Sequence, residues 1–304
     1  MSGLHCNQAK PLGKNAPHKL GVCPSIRSSA GQNEPAGGGS NWFDHPRRSR
    51  VNALTGKKGL VVGIANADSI AFGCAKAFAA AGAELAVTYL NDKAEPHVRP
   101  LAEMLGSTII APCDLREPGQ LEAVFGQIAD QWGGLDFLLH SVAYAPREDL
   151  RRRLVDSSAD GFAMAMDVSC HSFIRMAKLA EPLMAQGGTL LTVTFYGAEK
   201  VVEHYNLMGP VKAALESSVR YMAAELGPRG IRVHALSPGP LKTRAASGLD
   251  RFDELLDRAR ERAPKHALAT IDDVGNVAAF LTSDAARMLT GNVEYIDGGY
   301  HIMG

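Results

Sequence analysis

Residues 59–82 read GLVVGIANADSIAFGCAKAFAAAG, and this stretch decides the fold. It opens on a short apolar run, GLVVGIA at 59–65, ended by glycine and asparagine. An Ala-rich segment follows, SIAFGCAKAFAAAG at 69–82, closed by Gly82. A brief apolar run, a polar turn and a long helix former with a terminal glycine make a strand–turn–helix unit. The alternation then repeats. Strands are predicted at 84–90, 107–115, 135–142, 188–195, 231–239 and 292–299. Helices are predicted at 93–105, 118–132, within 157–185, from about Tyr205 to Leu226, at 250–262 and at 271–283. Apolar strands separated by helices read as parallel strands buried on both faces. The expected fold is therefore α/β: one doubly wound domain, 54–304, on a seven-stranded parallel sheet.

Residues 1–53 differ. They are rich in Gly, Pro, Ser and Asn, carry GGGS at 37–40, and show no sustained apolar period. Such a segment buries too little to offset its ordering entropy, so it is expected to be a disordered extension. It is basic and acid-poor, with Arg47, Arg48 and Arg50 near its end. A transit peptide or an upstream start site are further readings of it.

The whole chain has 304 residues, with 32 Lys and Arg balancing 32 Asp and Glu. That balance gives no electrostatic reason to expect a nucleic acid or an anionic membrane as the main partner. No apolar run is long enough to span a bilayer. The five cysteines (Cys6, Cys23, Cys74, Cys113, Cys170) form no CxxC pair. They read as reduced thiols in a cytoplasm, with no metal site.

Open parallel sheets bind ligands beyond the carboxyl ends of their strands, so the residues there are the ones to question. After the first strand, Gly63 permits a tight turn. Ser69 and the amides near Ile70 open a helix whose positive end suits a pyrophosphate. After the second strand, Leu90-Asn91-Asp92-Lys93 offers a 2′-phosphate no arginine, which favours NADH over NADPH. After the third, Asp114-Leu115 either places a carboxylate at an adenine or caps the next helix. Ser141–Ala145, after the fourth, includes Val142 and passes where a nicotinamide ribose would lie. After the sixth, Ser237-Pro-Gly-Pro-Leu241-Lys-Thr243 is a proline-stiffened loop, with a Thr243 hydroxyl for a phosphate. Finally, HYNLMGPVK at 204–212 sets Tyr205 and Lys212 seven residues apart at the mouth of a helix. Seven residues are about two turns, so the two would share one face. An ammonium there can grip sugar hydroxyls and lower the phenol's pKa, and the phenol can donate to an oxygen gaining charge.

Taken together, Gly63-x5-Ser69-Ile70-x2-Gly73, CDL at 113–115, Tyr205-Asn-x-Met-Gly-x-x-Lys212, SPGPLKTRAASG at 237–248 and YIDGG at 295–299 resemble the NADH-dependent enoyl-acyl-carrier-protein reductases of FabI type, within the short-chain dehydrogenase/reductase superfamily. The resemblance covers 54–304 and rests most on the spacing Tyr-x6-Lys, where ordinary superfamily members carry Tyr-x3-Lys. It implies a Rossmann-type domain that reduces trans-2-enoyl thioesters carried on acyl carrier protein, with NADH, in type II fatty-acid synthesis. It also implies a homotetramer. Tyr205 would bond the thioester carbonyl, and Lys212 the ribose. Gly63, Ser69, Ile70, Asp114, Leu115, Val142, Leu241 and Thr243 would line the cofactor, and Ala145 would touch the substrate. The chain around 243–262 would cover the acyl tail.

Four positions depart from that pattern. Phe195 stands where many relatives have a second tyrosine, Ala143 where glycine is common, and Leu90 where a polar contact is usual. Asp250, Asp253 and Glu254 are acidic where relatives tend to be basic. Two other functions are open. One is a carbonyl reductase, such as a 3-oxoacyl reductase, using Thr194 with Tyr196 and Lys200. The other is a non-catalytic dinucleotide-binding regulator.

Overall fold

The computed structural model describes residues 53–241 and 252–303. The N-terminal extension (save Ala53) and Thr243 lie outside them. Seven strands form one sheet: β1 (Lys58–Val62), β2 (Glu84–Tyr89), β3 (Ile109–Pro112), β4 (Phe137–His140), β5 (Gly188–Val193), β6 (Ile231–Pro238) and β7 (Val293–Ile296). Their order is β3-β2-β1-β4-β5-β6-β7, and every pairing is parallel. The chain thus winds outward from β1 in one direction, then returns to β4 and winds outward in the other. The gap between the ends of β1 and β4 is where such a sheet opens a crevice for a ligand.

Alternate side chains of each strand enter different layers, as the two-residue period requires. Leu60 and Val62 of β1 face one core, with Leu138 of β4 and with α3 (Gln120–Trp132), α6 (Ser172–Ala180) and α7 (Met208–Leu226). Val61 and Leu139 face the other, against α1 (Ile70–Ala80), α2 (Glu95–Met104) and α9 (Ile271–Thr282). Each fully buried Leu or Phe contributes about 1.5–3 kcal/mol relative to exposure. Cys74, Cys113 and Cys170 are free buried thiols inside these layers. Among the described residues, no helix is long and apolar enough to cross a membrane.

The structure corrects the expected elements in three places. The helix holding Lys212 starts at Met208, so Tyr205 lies in the loop before it. The helical region within 157–185 is broken: α5 (Ala159–Met166) passes through a π-turn at Asp167–His171 into α6. A short α4 (Arg147–Arg151) precedes them and was not foreseen. By contrast, α8 (Phe252–Arg262) falls inside its expected span.

Helices α1 and α9 meet through glycines. A Cβ on Gly73 would collide with the Ile271 carbonyl, and one on Gly275 with the Gly73 carbonyl. The backbones therefore touch where side chains would normally hold them apart. Gly73→Ala is expected to cost about 1–3 kcal/mol by overpacking. At this chain length a thermal melt should fall by about 2–4 °C per kcal/mol. An unchanged melting temperature would mean the two helices separate freely.

Candidate active site

Two cavities run along the carboxyl edge of the sheet and share Ala143 and Tyr144 as a common wall. The first, of about 330 Å³, lies beyond β1 to β4 and takes in Gly63, Asp114, Leu115 and Val142. The second, of about 340 Å³, lies beyond β4 to β6 and takes in Ile70, Ala145, Tyr205, Lys212 and Leu241. The residues that the resemblance implies thus line one or other of these two cavities, Ser69 and Thr243 aside. Ser69 lies just behind, in the turn between β1 and α1.

That turn is built around Ser69. Its hydroxyl accepts from the backbone N–H groups of Ala65 and Asn66, both at 3.0 Å, and donates to Asn66 Oδ1 at 3.1 Å. Ser69 therefore caps the loop and not the helix. The N–H groups of Ile70 and Ala71 start α1 with no intrahelical carbonyl to meet them, which is the setting of an anion site. Gly63 is needed for a different reason. It sits at φ 117°, and a Cβ there would strike the Ser141 carbonyl.

Asp114 does not cap a helix, because α3 begins at Gln120 with Gly119 as its cap. Its carboxylate instead takes both ends of the Arg116 guanidinium, at 3.0 and 2.6 Å, which holds the Asp114 pKa below the usual carboxylate range. The same guanidinium lies 5.4 Å from the centre of the Tyr144 ring. Arg116 is thus engaged twice within the first cavity, a pairing that the sequence reading missed.

The second cavity brings Lys212 and Tyr205 together. Lys212 is 4% exposed, and its Nζ donates to the Val193 carbonyl at 2.8 Å, at the end of β5. Two of its three protons remain for other partners. Burial lowers its pKa to about 8, against the raising influence of Cys170 and Glu216. Tyr205 is half-buried, and its phenol is pushed well above the usual range, by burial first and the Glu216 carboxylate second. This corrects the expectation that Lys212 lowers that pKa. The phenol is neutral and therefore a donor.

The loop that carries Tyr205 is strained. Its two neighbours, His204 and Asn206, have φ of 64° and 40°. Non-glycine residues in that region cost of order 1–3 kcal/mol each and collect at functional sites. Asn206 offsets part of this by donating its Nδ2 to the Leu150 carbonyl at 3.2 Å. The Tyr205 ring packs edge-on against Phe195, 5.0 Å between centres. Phe195 lines the second cavity and brings no hydroxyl to it. Tyr196 packs instead against Tyr300 at 5.4 Å, in a neighbouring recess. Lys200 lines a different recess from Tyr196, so the nearby Tyr-x3-Lys forms no site.

Beneath the cavity floor, the π-turn supplies Ser169 and the first residue of α6 supplies Ser172. Ser169 exchanges hydrogen bonds with the Tyr144 backbone, at 2.8 and 2.9 Å, and so fixes the shared wall. Ser172 meets His140 Nε2 at 2.9 Å, while Thr192 meets His140 Nδ1 at 2.8 Å. Burial, helped by the Lys212 charge, takes the His140 pKa down to about 3. A π-turn has no simple sequence period, which is why these residues were not anticipated.

Fold and site define a dinucleotide-binding α/β oxidoreductase. Comparison with known proteins narrows this. The family model described as enoyl-(acyl carrier protein) reductase matches residues 63–301. The NADH enoyl-acyl-carrier-protein reductase 1 of Rhizobium meliloti is 46% identical over 251 residues, 83% of this chain and 92% of the relative. The NADH-dependent FabI of Aquifex aeolicus is 44% identical over 84% of this chain and 94% of its own length. A crystal structure of the Anaplasma phagocytophilum reductase in complex with NAD superposes with a TM-score of 0.80 at 46% identity, covering 83% of this chain and 97% of that one. The chain belongs to the enoyl-acyl-carrier-protein reductase family.

Gly197, in the turn after β5, also bears on Tyr205. A Cβ on Gly197 would lie 2.5 Å from Tyr205 Cδ1, so the glycine makes room for the ring. Gly197→Ala should displace the phenol and lower turnover of an enoyl thioester by about 10²-fold, with the circular dichroism unchanged. Normal turnover would show that the ring has room to spare.

Proposed function

We propose that this protein reduces the trans-2 double bond of acyl-carrier-protein-bound enoyl thioesters with NADH, in type II fatty-acid synthesis. The observation that carries the reading is the meeting of Tyr205 and Lys212 in one cavity at the carboxyl edge of the sheet. The residues present fit a dinucleotide. Backbone N–H groups at the start of α1 would hold the pyrophosphate beside Gly63, Ser69 and Ile70. Leu115 would flank the adenosine half, with the Asp114 carboxylate toward the adenine amino group, and Val142, in the same cavity, would lie further along toward the nicotinamide ribose. Lys212 would donate to the ribose, and Leu241 would lie beside the nicotinamide. NADH supplies the hydride when bound.

The chain's own groups do the rest. Tyr205, neutral, donates to the thioester carbonyl oxygen and stabilises the negative charge that grows on it as the β-carbon is reduced. One such donor is typically worth about 2.7–4 kcal/mol in the transition state. Ala145 bounds the acyl group next to the thioester, and the apolar Leu150, Met208 and Phe252 complete the wall. Carrier protein is acidic, and Arg258, Arg260 and Arg262 on α8 are the basic side chains it would meet there, the first two already paired with Glu203 and Asp257.

The assay is oxidation of NADH with a trans-2-enoyl thioester, run beside a 3-oxoacyl thioester. Turnover of the enoyl substrate is expected, and Tyr205→Phe should lower kcat by about 10²–10³-fold. Lys212→Ala should chiefly weaken NADH binding. Consumption of only the 3-oxo substrate would transfer the reaction to the carbonyl-reductase reading.

The same reading places the enzyme in the cytoplasm and assembles it as a homotetramer. Exposed apolar side chains support assembly: Phe162 and Met164 on α5, and Tyr221 on α7, the last 71% exposed. Large apolar groups grouped on helices commonly mark contact surfaces. Light scattering should give a mass of about four chains, and a monomeric mass would remove that part of the reading.

A further inference from the structure

Glu216 lies four residues after Lys212 on α7, about one turn along the same face. It is only 5% exposed, and its Oε1 accepts the Thr194 hydroxyl at 2.7 Å. Thr194 is 2% exposed and lines the cavity between Val193, which holds Lys212, and Phe195, which packs on Tyr205. A buried carboxylate is costly unless it is bonded and paired. The reaction as described gives this one nothing to do.

The groups around it narrow its role. Lys212 is faced by His140 from β4 and Cys170 from the π-turn. Glu216 is faced by Thr194 at the end of β5, Glu199 in the turn that follows, Tyr205, Tyr295 on β7, and Lys212 and Arg220 on its own helix. Most of these are neutral near pH 7. His140 sits at about 3, the Cys170 thiol is raised by burial, and burial holds both phenols up. The Glu216 pKa is itself raised by burial, and the hydrogen bond from Thr194 and the charges of Arg220 and Lys212 oppose this. Glu199 is exposed, so solvent screens its charge. That leaves Glu216 as the buried counter-charge to a buried ammonium.

We propose that Glu216 is a positioning residue that keeps Lys212 an ammonium at the ribose site, held in place by the Thr194 hydroxyl. The inference rests on the ribose role assigned to Lys212. Without a buried anion, burial weighs more heavily on the lysine, with only Cys170 left to oppose it, and its proton leaves at lower pH. Lys212 then reaches the ribose as an amine with one fewer donor and no charge.

The test reads NADH affinity by fluorescence of the reduced nicotinamide, on the full chain, from about pH 6 to about pH 10. Wild-type affinity should fall as pH rises through about 8, where Lys212 loses its proton. Glu216→Gln keeps an acceptor for Thr194 and removes only the charge. Its midpoint should move down by about one pH unit. A midpoint equal to wild type overturns the proposal. If Glu216→Gln does not fold, Glu216→Asp carries the test: it retains the charge and should keep the wild-type midpoint, and a drop of about one unit there overturns the proposal. Lys212→Met separates the two inferences. A weak, pH-independent affinity supports the Lys212 role, whereas a fall with pH like that of wild type overturns it, and this proposal with it.

Discussion

A side chain at position 63 would strike the carbonyl of Ser141, and the site is arranged around that near-contact between the ends of β1 and β4. These two strands are neighbours in space but far apart in sequence, because the winding reverses between them. The loops that leave them diverge, one into α1 and the other toward α4. The crevice between them is therefore a consequence of topology, and its floor is backbone. Gly63 lets the backbone come close, and Ser69 ties the turn shut from behind by taking two N–H groups on its hydroxyl. What remains facing outward is the start of α1, which needs no side chain to attract an anion.

The second half of the site depends on rigid supports around a strained loop. Tyr205 does not ride on α7, as a period-of-seven argument supposes. It projects from a loop with two residues in the left-handed region, pinned at one side by Asn206 to the chain before α5 and backed by the absent side chain of Gly197. Lys212, by contrast, is on the helix and locked to the end of β5. The spacing Tyr-x6-Lys therefore describes a loop residue brought over a helix residue. An ordinary Tyr-x3-Lys is about one helical turn, and the one present here (Tyr196 and Lys200) opens into two separate recesses.

This explains what could be read in the sequence. Strand-helix alternation is written in local composition: Val61 and Leu139 fall in one core and Leu60 and Leu138 in the other, because both faces are covered. The ends of strands were also legible, since glycine, serine and aspartate gather where the chain must turn. Illegible were features with no period. The π-turn at Asp167–His171 inserts extra residues into an unremarkable helical pattern, yet it delivers Ser169 to the shared wall and Ser172 to His140. Asp114 was legible as a residue at a strand's end but not as the partner of Arg116, since two residues of separation in a loop say nothing about orientation. Glu216 was invisible because a glutamate in a helix is ordinarily solvated, and only packing shows this one to be buried.

The distribution of protons around the cavity bears on which reaction it suits. A carbonyl reductase of this fold needs a hydroxyl beside the tyrosine to donate to the carbonyl, and Thr194 stands at the right end of β5 to do so. Its hydroxyl has one proton, and that proton is given to Glu216. Toward the cavity Thr194 can only accept. Tyr205 would then be the phenol left to donate there, with Phe195 and not a second hydroxyl beside it. The buried carboxylate under α7 thus disarms Thr194 as a donor, and that counts against carbonyl reduction in this cavity.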